Sequence, residues 1–130
     1  MAAAIYRSAK SALLGLIGVS LLGTADVAEF LVTRTAMFSD APGRAAGSVL
    51  GLAMWLALLG VATARYTSGD RRLVKTTIGL AALVAAGNVG LTFIHLKAGV
   101  GGWRPIAGGA AGVLALVFSL ASRNQSGVDI

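Results

Sequence analysis

Asp26 and Glu29 stand about one helical turn apart, near the end of an otherwise apolar run, in the stretch TADVAEFLVTR from Thr24 to Arg34. A carboxylate in such surroundings is costly unless it is neutral, paired or wetted, and an acid held that way can carry a proton or a cation. The complementary group is His95, the single histidine of the chain. It follows Asn88 and Thr92 at i, i+4 and i+7, which is one face of a helix. Asp26, Glu29, Asn88, Thr92 and His95 therefore make up a candidate polar or proton site. The competing reading is an interhelical hydrogen-bond clasp that fixes register, with Glu29 and His95 close enough to the surface to reach water.

Other chemistry is largely excluded. With no cysteine there is no thiol nucleophile, disulfide framework or thiolate metal site. One histidine and two nearby acids fall short of the donors a structural zinc site or a bis-histidine haem wants, so no metal and no cofactor is expected. No G-x-S-x-G elbow occurs, and the glycines at 99, 101 and 102 lack the lysine and hydroxyl of a phosphate loop. The chain is expected not to be an enzyme.

The elements that would position the five residues follow from composition. Of 130 residues 56% are hydrophobic and 12% charged, and the mean hydropathy is +0.81. A body this small cannot hide so much apolar surface in water. Four runs are long enough to cross a hydrocarbon core, which takes roughly 20 apolar residues as helix. They lie at about 11–32, 45–64, 76–96 and 105–122. Between them come turn chemistry around Pro42-Gly43, a charged loop from Arg65 to Arg72, and a glycine turn from Lys97 to Arg104. None of the runs alternates apolar with polar, so strands are not expected. The expected fold is all-α: an integral membrane protein built as a single four-transmembrane-helix bundle over residues 1–130.

Basic residues set the orientation. Arg7, Lys10, Arg65, Arg71, Arg72, Lys75 and Arg123 fall on the side of the termini, against Arg34, Arg44, Lys97 and Arg104 opposite. That bias predicts both termini cytoplasmic. The net charge of +6 thus reads as a topology signal, and no nucleic acid is expected as a partner. Tyr6, Tyr66 and Trp103 fall at predicted interfaces, whereas Trp55 falls in mid-span. A competing reading makes residues 1–25 a secretory signal, with Gly23-Thr24-Ala25 as its cleavage site.

Depth links the two halves of the candidate site. At 1.5 Å per residue, Asp26 and Glu29 lie about 7 and 11 Å beyond the midpoint of the first span, and Asn88, Thr92 and His95 about 3, 9 and 13 Å beyond that of the third. Both spans run the same way, so one polar chamber in the outer leaflet is the expectation. Asp26 and Glu29 are predicted to face the third helix. Small residues at four-residue spacing, Gly47 and Gly51, then Ala82, Ala86 and Gly90, then Gly108 and Gly112, with Ala111 and Ala115, predict close helix packing within the chain or between copies.

Size and span count resemble the small multidrug-resistance transporters, which carry a membrane-embedded glutamate in the first of four short helices. Here Glu29 lies near the outer end of its span, Asp26 is an added acid, and Trp55 and Phe93 are the aromatics of the second and third spans. No residue role is carried over from that family. The function expected is that of a small non-catalytic membrane protein: an accessory subunit of a larger membrane complex or a self-associating homo-oligomer, multi-pass in a bacterial plasma membrane. The alternatives are a proton- or cation-coupled small-solute transporter and, on weaker grounds, a quinone- or haem-binding redox subunit.

Overall fold

The computed structural model describes residues 2–97, 99 and 104–123, all of them helix or short turn. Helix α1 spans Ala2–Thr33, the single turn α2 Met37–Asp40, α3 Pro42–Ser68, α4 Leu73–Lys97 and α5 Arg104–Ala121. Each predicted span lies inside one of the four long helices to within a residue, and most helices run several residues further. The predicted glycine turn and Trp103 lie largely outside the described residues.

Local chemistry sets the ends. Pro42 opens α3, where its fixed φ suits the first helical turn and its missing N–H costs nothing. Gly69 closes the same helix in the left-handed conformation, φ 68°, and its N–H bonds Arg65 O at 2.8 Å. Asp70 then turns the chain, its carboxylate accepting the Arg72 N–H at 2.9 Å before α4 begins. Gly99, φ 76°, ends α4 in the same left-handed way.

The four long helices form an antiparallel ring in which α1 packs on α3, α3 on α4, α4 on α5 and α5 back on α1. Helices α1 and α4 therefore stand diagonally across it. The core contains Leu13 and Leu16 from α1, Trp55, Leu58 and Ala62 from α3, Ala81 and Val84 from α4, and Ala115 from α5. Trp55, the mid-span aromatic, is packed rather than lipid-facing. It is 2% exposed, and its indole lies directly over Gly23, where any Cβ would collide with the ring.

Three of the helices are long and apolar enough to cross a membrane, and α5 is a shorter apolar helix of 18 residues. Only 22–28% of the apolar windows of those three spans is buried inside the bundle. The rest of their surface is outward: Leu22 is 71% exposed, Val32 74% and Phe93 69%. An outer wall of that kind is an oily liability in water and a match for lipid.

Small residues serve unequally. The seam between α4 and α5 uses them: a Cβ on Gly112 would lie 2.9 Å from Asn88 Cβ and 3.1 Å from Ala85 Cα, and Ala115 is fully buried. Gly109, which the four-residue pattern does not single out, approaches just as closely, with Thr92 Oγ1 2.6 Å from its added Cβ. By contrast Gly47, Gly51 and Gly90 have open space at that position, and Ala82 and Ala86 are exposed. Those two stripes face away from this chain's own helices.

Candidate functional site

The polar residues singled out by depth divide between two places. The core line of α1 runs through Leu13, Leu16, Ser20, Gly23, Val27 and Leu31. At about 100° per residue, Asp26 lies about 100° and Glu29 about 160° around the helix from it. Both are exposed. Asn88 and Thr92 belong to the opposite helix of the ring and point at the glycines of α5; a Cβ on Gly108 would lie 3.7 Å from Asn88 Oδ1. Each bonds back to its own helix: Asn88 Nδ2 donates to Val84 O at 2.8 Å and Thr92 Oγ1 to Asn88 O at 2.9 Å. His95 is half-buried near the end of α4. The predicted chamber is thus not assembled, because similar depth on two helices does not make them neighbours. Among the described residues no three of His, Asp and Glu come together.

The buried charge lies at the other end. Arg65, read from sequence as the first residue of a charged loop, is in the last turn of α3 and fully buried. Its Nη1 donates to Ser122 Oγ at 3.0 Å and its Nη2 to Ser122 O at 2.8 Å. The Ser122 hydroxyl in turn donates to Ser119 O at 2.8 Å. Ser122 follows α5 directly, where the last carbonyls of a helix have no intrahelical donor and the helix dipole is negative. The guanidinium caps that end. A cation is well placed there, and two hydrogen bonds to a charged donor, each worth about 1.5–3 kcal/mol, offset part of its desolvation.

Further hydroxyls are buried along the bundle interior. Thr77 of α4 is fully buried and donates to Leu73 O at 2.6 Å. Ser20, Thr24 and Ser119 each present a buried hydroxyl oxygen with no hydrogen-bond partner. Above the clamp, Lys10 Nζ sits 4.7 Å from the centroid of the Tyr66 ring, tying the start of the α1 span to the end of α3. At the far end Phe30 plays the corresponding part, with the guanidinium carbons of Arg34 and Arg44 4.8 and 5.7 Å from its ring centre.

Sequence reasoning missed the clamp because an arginine four residues from a helix end reads as a loop charge. The signal was present in part: Gly69 as a left-handed cap extends α3 past Arg65, which carries the residue inside the helix. Nothing in the sequence pairs it with Ser122, 57 positions away.

In its electrostatics the site is a structural tie. It joins a fixed cation to hydroxyls and a helix-end carbonyl. In the loop outside it, Asp70 is held below the usual carboxylate range, first by its side-chain hydrogen bond to Arg72 and then by the Arg72 backbone N–H. Compared with known proteins, the chain matches no family model, no curated protein and no solved structure.

Proposed function

We propose that this chain is a small non-catalytic integral membrane protein whose role is assembly, as a self-associating bundle or as the accessory subunit of a larger membrane complex. The observation that carries the reading is the outer wall. Three long helices keep less than a third of their apolar windows inside the bundle. On that wall the stripes Gly47 and Gly51 of α3 and Ala82, Ala86 and Gly90 of α4 are left open to another helix. Small outward residues let a second backbone approach closely, the main attraction available between helices in lipid.

Four spans with both termini cytoplasmic suit the basic bias of one end. The α5 helix, about 27 Å long by its residue count, then needs the glycine seam and the Arg65 clamp to hold it across a core of about 30 Å. A proton-coupled carrier has less support. It would draw on a titratable group in the interior, yet no acid among the described residues is buried.

Purification of the full chain in a mild detergent, followed by mass measurement and identification of what accompanies it, tests the proposal. A homo-oligomer or a stoichiometric larger partner is expected. A strictly monomeric protein with solute-driven proton uptake in vesicles would contradict it. Since the chain has no cysteine, Ser39→Cys and Ser68→Cys variants test the topology: the first should label from outside and the second only after permeabilisation.

A further inference from the structure

We infer that the Arg65 end of the bundle is a collar for anionic phospholipid headgroups. The sequence shows three basic residues close together, Arg71, Arg72 and Lys75, too few for such a reading. The fold changes the number. The antiparallel ring brings the start of the α1 span, the end of α3, the start of α4 and the end of α5 to one place, as the Lys10–Tyr66 and Arg65–Ser122 contacts show. Lys10, Arg71, Arg72, Lys75 and Arg123 fall at that end, around the buried Arg65. Five lies within the range of about four to eight basic residues at which a cluster recognises anionic lipid.

Among the described residues the basic side chains at that end outnumber the acids. Asp70, the one acid at that end among the described residues, is held by Arg72 at 3.1 Å. At the opposite end three acids, Asp26, Glu29 and Asp40, stand with Arg34, Arg44, Lys97 and Arg104. Arg71, Arg72, Lys75 and Arg123 are exposed. They also sit at the rim of helices whose walls are apolar, the level at which headgroups must lie if the chain spans a bilayer. The inference therefore rests on the membrane reading above. That placement favours a lipid over a soluble acidic protein as the occupant, and the ligand chemistry is a phosphodiester on a net-negative lipid.

The test reconstitutes the full chain in vesicles of equal parts phosphatidylglycerol and phosphatidylcholine, re-extracts it gently, and counts retained lipids by native mass spectrometry. The wild type should retain phosphatidylglycerol about five-fold over phosphatidylcholine. An Arg71→Gln, Lys75→Gln, Arg123→Gln variant, which keeps the Asp70–Arg72 pair and the buried clamp, should lose that preference. Arg34→Gln with Lys97→Gln at the other end should keep it. Equal retention by the wild type, or an unchanged preference in the triple variant, would overturn the inference. So would tight binding of poly-glutamate to the detergent-solubilised chain without phosphatidylglycerol enrichment, which would assign the collar to an acidic protein. Failure of the wild type to enter either kind of lipid would instead sink the membrane reading itself.

Discussion

The two ends of the bundle handle polar side chains in opposite ways. At the basic end Arg65 reaches from α3 to Ser122 beyond α5, so a hydrogen-bonded charge joins two helices. At the other end Asn88, Thr92 and Ser48 each donate to a carbonyl four residues back on their own helix. Asp26 and Glu29 there lie on the outer face. A polar residue inside an apolar helix need not tie that helix to another, because back-bonding to its own backbone satisfies it. Charge is different: a buried guanidinium has too many donors to satisfy on one helix, so it requires a partner elsewhere.

The sharpest break of this comparison should be Arg65→Ala. It removes two charge-assisted bonds, leaves the end of α5 uncapped and opens a cavity, at a cost of about 3–5 kcal/mol. Unfolding of the purified chain in detergent, followed by circular dichroism, measures it. Arg65→Lys, a point donor in place of a fork, should recover part of the loss.

The two sets of glycines come next. Gly112→Ala forces α5 away from the Ala85 backbone and should cost about 1–3 kcal/mol. Gly47→Ala and Gly90→Ala meet open space and should leave the isolated chain up to about 1 kcal/mol more stable, by helix propensity alone. If they also weaken self-association, the outward stripes are contact surfaces.

Smaller still is the effect of the acids. Asp26→Asn should change unfolding stability by no more than about 0.5 kcal/mol, as expected of an exposed site. A larger loss would mean that the carboxylate holds two helices together.

The least effect belongs to Asp70. Its folded-state pKa is depressed by Arg72, so the stabilisation it contributes is present above the ordinary carboxylate range and disappears as pH falls through the lowered folded value. The amide resonance of Arg72 should move in that acid interval in the wild type and stay still in Asp70→Asn.

Much of the fold was legible. Run length, the turn chemistry at Pro42-Gly43 and the charged loop after the second run gave the four long helices, because hydrophobic length and turn dihedrals are local properties. Depth along each helix was also legible, since rise per residue is fixed. Azimuth was not. Which face of α1 turns inward depends on Trp55 lying over Gly23 and Phe118 beside Gly15, contacts made only when the chain folds. Asp26 was therefore expected to face the third span, whereas it is exposed on α1. Spacing found Gly108 and Gly112 on the seam but equally offered Gly47 and Gly51, whose face is open. Arg65 needed two facts that sequence keeps apart, the reach of α3 past it and the stop of α5 at Ala121.

Disulfide trapping in this cysteine-free chain tests the arrangement most directly. With Cys at Thr92 and Gly109, an added Cβ at 109 lies 3.4 Å from Thr92 Cβ, close to the spacing a disulfide needs, so oxidation should cross-link α4 to α5 at once. Cys at Thr92 and Asp26 should remain reduced under the same conditions, because α1 and α4 stand across the ring and residue 26 faces out. Rapid bridging of the 26–92 pair within one chain, with the 92–109 pair left open, would contradict the account and restore the acids to a chamber with the polar face of α4.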